Sequence, residues 1–129
     1  MRRDMELVRK ILIDTADGVD SYNLQLGRFA DADVEKVRKD EMLIYHINIM
    51  SQKKLINFKH LEDLDGDCRI YKVELSWDGQ DYLSTVEDDT IWNKTKDVAK
   101  ARGLEIAKIS FDVVKNLAVQ QSKQLLGIE

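Results

Sequence analysis

Residues 40–71 read DEMLIYHINIMSQKKLINFKHLEDLDGDCRIY and contain the pattern that decides the fold. The spacing predicts a helix over about residues 40–53. Within it Leu43, Ile47 and Met50 recur at the three- and four-residue steps that place side chains on one helical face. We therefore expect these three side chains to face a core and the opposite face of the helix to meet solvent.

The predicted helix passes directly into a predicted strand over residues 55–60. An acidic turn follows at residues 61–67, where Asp65-Gly66 is the strongest turn signal in the chain. A second strand is predicted over residues 68–74, because polar and apolar side chains alternate there with the period of two of a half-exposed hairpin. A helix followed by a β-hairpin is typical of the second half of a winged helix-turn-helix.

The preceding residues supply the remaining elements of such a fold. A first helix is predicted after Asp4, a short strand at residues 21–26 could pair with the hairpin, and a second short helix is predicted at about residues 34–38, capped by Asp31 or Asp33. The fold class predicted for the chain is therefore α+β, a winged helix-turn-helix with a β-hairpin wing.

Additional helices are predicted after the hairpin. Ser76 caps one, a second ends at Gly103, and the last begins at Ser110. We expect one domain of 129 residues, with a core of about residues 4–86 and a C-terminal helical extension of about residues 87–129. The last helix carries an apolar stripe that the predicted core does not use, so we expect a homodimer through the C-terminal helices.

Composition limits the setting and the partners. A single cysteine, Cys68, cannot form an internal disulfide, and no apolar run approaches the length of a membrane span, so we expect a cytoplasmic protein that does not enter a membrane. The formal net charge is −4, which argues against a strong nucleic-acid binder. The acid is concentrated in residues 61–97, which carry 4 Lys/Arg against 11 Asp/Glu. Residues 1–60 are nearly neutral and could present a basic face.

Five blocks of the sequence resemble the bacterial and phage family catalogued as domain of unknown function 2513. The blocks are RDMELVRKIL at residues 3–12, YHINIM at 45–50, LSWDGQDYL at 75–83, DDTIW at 88–92 and SFDVV at 110–114. The resemblance implies a winged-helix-like fold in a short cytoplasmic or prophage-encoded protein, and it carries over no catalytic residue. The family pattern has glycine where the central helix ends. Lys54 stands in its place here, so we expect Lys54 to adopt the left-handed conformation or the chain to leave the helix differently.

The outward face of the central helix suggests duplex DNA as a partner. It carries Tyr45, Asn48 and Gln52, and Lys53 and Lys54 follow at its end. Asn and Gln suit bidentate contacts to adenine, whereas Tyr and Lys reach phosphates. We therefore predict a small cytoplasmic or phage DNA-binding protein, of the kind that regulates transcription, with this helix in the major groove. The alternative for these residues is a solvated polar face on a helix that only packs.

The acidic hairpin favours a second hypothesis. Glu62, Asp63, Asp65 and Asp67 would lie where a wing usually brings cations to phosphates, and their charge would repel a duplex. We therefore keep open a protein-binding module, such as a phage-encoded inhibitor of a host factor, that uses these acids on a basic partner. A solvated acidic turn is the plainer interpretation.

The sequence indicates no reaction, metal or cofactor. It has no phosphate-binding glycine loop, no nucleophile-elbow motif and no paired cysteines. His46, His60 and Cys68 do not have metal-ligand spacing, and His46 is expected to form hydrogen bonds at the surface or at a junction between elements. Trp77 and Trp92 are expected in the core or in a dimer seam. We accordingly predict a binding protein rather than an enzyme.

Overall fold

The computed structural model of this chain describes residues 1–26, 33–62, 64, 66 and 68–127. The elements in this part of the chain are, in order, α1 (Met5–Ala16), β1 (Ser21–Gln25), α2 (Val34–Gln52), β2 (Ile56–Glu62), β3 (Cys68–Leu75), α3 (Trp77–Val86), α4 (Asp89–Ala101) and α5 (Phe111–Leu125). The α+β class predicted from the sequence is confirmed. The described helices include none that is long and apolar enough to cross a bilayer.

The three strands form one antiparallel sheet in the order β1-β3-β2. Tyr71 at the centre of β3 pairs with Tyr22 of β1 on one side and with His60 of β2 on the other. The predicted hairpin is confirmed, with Gly66 of the turn at φ +71. The predicted strand at residues 21–26 is also confirmed, as β1.

Most helices begin at the caps that the sequence indicates. Asp4, Ser76 and Ser110 each accept a hydrogen bond from a backbone N–H in the first turn of the helix that follows. Asp33 caps α2 in the same way, whereas Asp31, the other predicted cap, lies outside the described residues. These ends form locally because a short acceptor side chain satisfies N–H groups that have no partner within the helix.

One prediction about the central segment is wrong. Separate helices were expected at residues 34–38 and 40–53, but Val34–Gln52 is a single helix of 19 residues. Asp40 is buried in its middle, where Oδ2 accepts from the backbone N–H of Gln25 at 2.9 Å and from Lys36 Nζ at 2.5 Å. Asp40 therefore joins α2 to the end of β1 instead of capping a new helix, and no turn divides the two predicted helices.

The helices pack on one face of the sheet around a single hydrophobic core. Val114, Leu117 and Ala118 of α5 belong to the same buried cluster as Leu12 of α1 and Tyr71 of β3. The predicted extension of residues 87–129 thus shares the core. Because the stripe of α5 is covered within the chain, the observation that suggested a homodimer no longer supports one, and the oligomeric state stays a prediction.

Candidate functional site

The chain leaves α2 through a tight corner at residues 53–55, which we call the corner. Lys54 has a φ of +65, so the left-handed conformation expected from the resemblance is confirmed. A non-glycine residue rarely adopts this conformation without support from its surroundings. The backbone supplies that support, since the Leu55 N–H donates to the Met50 carbonyl at 2.9 Å and the Lys54 N–H donates to the Ser51 carbonyl at 2.9 Å.

The start of α3 holds the corner from the other side. The Ser76 N–H donates to the Leu55 carbonyl at 3.0 Å, and the Ser76 hydroxyl donates to the Lys54 carbonyl while also accepting from the Gly79 N–H. Gly79 packs so closely that a Cβ there would lie 1.9 Å from the Leu55 oxygen. Only glycine fits this contact, which accounts for the glycine of the LSWDGQDYL block.

Trp77 lies beside this junction and is 82% exposed. Of the two places expected for Trp77, the core is therefore excluded and a dimer seam stays a prediction, whereas Trp92 is 2% exposed and lies in the core. Trp77 is the first residue of α3. Its neighbours Ser76 and Gly79 face the corner, and its own side chain is left in solvent.

The outward face of α2 is arranged as the sequence pattern predicts. Ile47 and Met50 are buried, and Leu43 packs partly buried against the same core. On the opposite side Tyr45 and Asn48 are half-buried and Gln52 is exposed. A polar stripe with access to solvent therefore runs to the C-terminal end of this helix.

The predicted DNA-binding side chains differ in how much of their hydrogen-bonding capacity is used. Asn48 Nδ2 donates to the Ile44 carbonyl at 2.9 Å within its own helix. Lys53 Nζ lies 4.9 Å from the centre of the Phe111 ring and 3.9 Å from Asp112 Oδ1. Lys54 forms no ion pair with another described residue. Lys54 is thus less engaged than Asn48 and Lys53.

A groove runs between the C-terminal half of α2 and the start of α5, and we call it the α2–α5 groove. Its volume is about 420 Å³, and Tyr45, Gln52 and Lys53 line it on the α2 side. Phe111 and Asp112 line the α5 side. The structure therefore brings three of the predicted DNA-binding residues to one concave surface, beside residues from the opposite end of the chain.

The outer face of the hairpin, directed away from the helices, carries cations and apolar side chains. Lys59 of β2 lies directly opposite Lys72 of β3, and Leu61 lies opposite Ile70. All four side chains are exposed. Leu64 in the turn is also fully exposed. The outer face of the hairpin is thus partly basic and apolar, in contrast to the acidic turn at residues 61–67.

The predicted acidic surface is only partly described. Glu62 accepts from Arg69 Nη2 at 2.5 Å, and Arg69 Nη1 donates to the Tyr71 hydroxyl at 3.1 Å. These hydrogen bonds, that to Tyr71 first, raise the pKa of the Arg69 guanidinium. Asp63, Asp65 and Asp67 lie outside the described residues. The one predicted acid that the structure describes is thus engaged within the hairpin itself.

His46 is completely buried, which excludes the surface position and leaves the junction position that the sequence allowed. Its Nε2 accepts from the Asp4 N–H at 2.9 Å, and Nδ1 lies 2.8 Å from the Met42 carbonyl oxygen. The ring thus links the start of α1 to α2 with both nitrogens occupied. No group of three or more His, Cys, Asp or Glu side chains in the described part of the chain is placed to hold a metal ion.

The DDTIW block joins α1 to the connection between α3 and α4. Arg9 Nε donates to the Val86 carbonyl at 2.7 Å, and Nη2 donates to the Glu87 carbonyl at 2.8 Å and to Asp89 Oδ1 at 2.7 Å. The guanidinium also lies 5.2 Å from the centre of the Trp92 ring. We call Arg9, Asp89 and Trp92 the clasp, since they fix two segments far apart in sequence.

Other residues of this block are equally engaged. Asp88 caps α4 by accepting from the Ile91 N–H, and Trp92 Nε1 donates to Glu6 Oε1 at 3.3 Å. Lys96 Nζ lies 3.3 Å from the same Glu6 oxygen. Asp88 and Trp92 therefore make contacts that stabilise the fold.

Most of the chain, including four of the five sequence blocks named above in full, matches a family model. Residues 2–105 match the family model described as "Hypothetical protein (DUF2513)", which covers most of the chain, and the chain belongs to this family. It is also similar to an "Uncharacterized protein" of Haemophilus influenzae, with 27% identity over 128 residues that cover 98% of this chain and 100% of that relative. No solved structure matches the chain.

Sequence reasoning missed part of the α2–α5 groove. Phe111 and Asp112 were assigned only to the stripe and the first turn of the last helix, and Ile49 had no predicted role. Arg3 was expected only as one of several basic residues that could contact phosphates, and not as part of a groove. No local pattern indicates this site, because it forms only when residues 3, 45–53 and 110–112 come together in the fold.

Proposed function

We propose that this chain is a winged-helix-like, DNA-binding protein, a cytoplasmic or phage regulator that contacts the duplex with the C-terminal half of α2. The observation that carries the proposal is the polar stripe of α2, which ends at the corner where an antiparallel ribbon begins. Recognition helices of this class present such a stripe to the major groove. In this proposal the chain is a binding protein and not an enzyme.

The α2 stripe contains groups suited to both base and phosphate contacts. Gln52 is exposed and has the donor and acceptor pair that adenine requires. Asn48 would have to release the Ile44 carbonyl before it could make the same contact. Lys53 and Lys54 are placed to neutralise phosphates. We therefore assign base contacts mainly to Gln52, and we assign to the two lysines the phosphate contacts that position the protein on the duplex.

The hairpin would act as the wing through its outer face. Lys59 and Lys72 lie side by side there. The repulsion between their like charges would be relieved by an anionic partner such as the DNA backbone. Glu74 of the same face opposes this attraction. The two helices predicted at residues 34–38 and 40–53 form one continuous helix, α2. The likeness to a winged helix therefore rests on α2 and the hairpin of β2 and β3 that follows it.

The test is fluorescence anisotropy with a labelled random duplex, titrated between 50 and 200 mM salt. We expect Lys54→Ala to weaken binding about threefold to tenfold and to reduce the slope of log affinity against log salt by about 1. Lys123→Ala is the matched control. It removes a cation from the last turn of α5, about 18 Å along that helix from Phe111, and should change binding little.

The two possible failures of this test differ in meaning. If the wild-type protein shows no salt-sensitive binding to any duplex, the proposal is wrong. If Lys54→Ala and Lys123→Ala weaken binding equally, the protein binds DNA but not through the corner. Gln52→Ala distinguishes base recognition from electrostatic binding to the DNA backbone. It should reduce the preference among DNA sequences and leave the slope of log affinity against log salt unchanged.

A second candidate is a protein-binding module that uses the hairpin. The favouring observation is Leu64, fully exposed in the turn, with exposed Leu61 on the adjoining strand. An exposed apolar side chain among acids suits a partner that offers an apolar pocket with a basic rim. Co-purification of a basic host protein would support it, provided that neutralising Glu62, Asp63, Asp65 and Asp67 or substituting Leu64→Ser abolishes the complex. Retention of the complex by both variants excludes the hairpin.

A further inference from the structure

We propose that the α2–α5 groove binds a small amphipathic organic anion, such as an aromatic carboxylate or sulfonate. The inference goes beyond the proposed function, and it stands or falls without any DNA contact. Two features of the groove carry it, namely its apolar floor and the two cations at its rim.

The floor of the groove is apolar and belongs to the core. Met5, Val8 and Leu55 are buried side chains that line it. Tyr45 and Phe111 provide aromatic surface at the sides. With a volume of about 420 Å³, the groove falls in the range of sites that hold ring-sized ligands. An apolar ring is therefore the part of a ligand that fits the floor.

The rim supplies positive charge. Arg3 and Lys53 both line the groove, whereas Asp112 is the one acid among the described residues that line it. Lys53 is held over the Phe111 ring, and its distance of 3.9 Å from Asp112 leaves that ion pair weak. Within the part of the chain that the structure describes, Arg3 forms one hydrogen bond, a long one of 3.4 Å to the Ile109 carbonyl. Two weakly engaged cations beside an apolar floor are complementary to an anion with an apolar body.

An unused polar group lies behind the Phe111 wall. The Tyr82 ring stacks on Phe111 at 4.2 Å, and its buried hydroxyl has no hydrogen-bond partner in the described part of the chain. Burial raises the pKa of Tyr82, and the nearby charge of Arg3 opposes that rise. A buried polar group without a partner is uncommon in folded proteins. Tyr82 is not among the described residues that line the groove, so its hydroxyl concerns the stability of the core and not the binding of the anion.

A ligand in this groove would cover residues assigned to DNA contact. Tyr45, Gln52 and Lys53 line the groove and also belong to the C-terminal half of α2 or its corner. If the proposed function holds, the anion and the duplex compete for these side chains, and the ligand acts as an effector. This coupling rests on the proposed function, whereas binding of the anion does not.

The test compares two fluorescent probes in the absence of DNA. They are 8-anilinonaphthalene-1-sulfonate and N-phenyl-1-naphthylamine, which share the aromatic body and differ by the sulfonate. We expect saturable one-to-one binding of the sulfonate and at least fivefold weaker binding of the uncharged probe, the change expected when one charged contact is lost. Near-ultraviolet circular dichroism must stay unchanged on probe binding, so that the signal reports the folded protein.

Substitutions at the rim locate the site. Arg3→Ala and Lys53→Ala should each weaken the sulfonate about fivefold, Asp112→Asn should strengthen it, and Ile49→Trp should block both probes by filling the groove. Lys54→Ala is the matched control. It removes a neighbouring cation that does not line the groove, so the affinity should not change.

Three results would overturn the inference. They are the absence of saturable binding, equal affinity for the two probes, and sulfonate binding that is indifferent to Arg3, Lys53 and Ile49. None of them bears on the DNA titration, which contains no probe and in which Lys54→Ala is expected to weaken binding instead of serving as the control. A failure of this inference is therefore distinguishable from a failure of the proposed function.

Discussion

The clasp around Arg9 lies within blocks of the family pattern, and the corner at residues 53–55 packs against one, LSWDGQDYL, but the two regions use their side chains differently. In the clasp Arg9 contacts two carbonyl groups, a carboxylate and an indole ring. In the corner the hydrogen bonds that hold the turn come from the backbone and from Ser76, while Trp77 and Lys54 remain in solvent.

This difference in side-chain contacts distinguishes residues that stabilise the fold from residues whose side chains are free to bind a partner. A motif whose side chains are held by contacts within the chain needs no ligand to explain it. A large side chain that packs against nothing has no such explanation within the chain. By this criterion DDTIW is structural, whereas the side chains of the corner are candidates for binding.

The largest expected effect concerns the backbone of the corner. In Gly79→Ala the new Cβ would meet the Leu55 carbonyl oxygen at 1.9 Å, so α3 must move away from the end of α2. We expect the free energy of unfolding to fall by about 3 kcal/mol or more, measured by urea denaturation. Gln80→Ala, on the exposed side of the same helix, is the control and should change it by less than about 0.5 kcal/mol. Equal stability of the two variants would show that Gly79 does not hold the corner.

The clasp should depend more on carbonyl contacts than on its ion pair. Arg9→Ala leaves the Val86 and Glu87 carbonyls without their donor, and we expect a loss of about 2–3 kcal/mol in the free energy of unfolding. Asp89→Ala removes only a carboxylate whose side chain is 89% exposed, and the expected loss is below about 1 kcal/mol. If the two losses are equal, the ion pair is more important than this geometry indicates.

Tyr82→Phe tests the unsatisfied hydroxyl beneath Phe111. Burial raises the pKa of Tyr82, so its neutral form is favoured in the folded protein. The stability that this gives is fully present below the unfolded pKa of about 10 and is lost as the pH rises above it. We expect the variant to be equally stable or up to about 1 kcal/mol more stable at pH 8, with a difference that widens above pH 10. Urea midpoints between pH 8 and 11 measure this, and parallel curves would contradict it.

The smallest expected effect on stability is at Trp77. Because this side chain is exposed and no packing contact explains it, Trp77→Ser should change the free energy of unfolding by less than about 0.5 kcal/mol. The variant should also lose the iodide-quenchable part of the tryptophan fluorescence, since Trp92 is buried. A loss above about 1 kcal/mol would mean that Trp77 packs and that the corner resembles the clasp.

Much of the fold follows from local patterns. Asp4, Ser76 and Ser110 mark helix starts because capping depends on neighbours within one turn. The hairpin follows from strand alternation and the glycine turn. The continuity of α2 could not be predicted, since Asp40 resembles a cap in the sequence and acts as an acceptor for β1 only in the folded chain.

The candidate sites were predictable to different degrees. The outward stripe of Tyr45, Asn48 and Gln52 follows from helical periodicity, and the structure places it as expected. The α2–α5 groove does not follow from any pattern, because it needs Arg3 and Phe111 beside α2. The exposure of Trp77 is likewise a tertiary outcome, since the sequence offers no means of ranking it against Trp92.

The sequence by itself determined the α+β class, the helix caps, the hairpin and the polar face of α2. Each of these features depends on interactions between residues close in the chain, or on the regular spacing of apolar side chains in a helix or strand that has one buried face. Only the tertiary structure decided that α2 is continuous, that α5 completes the core, that the clasp occupies Arg9 and that a groove opens beside Lys53. These features depend on contacts between segments far apart in sequence, whose partners are set by packing of the whole chain.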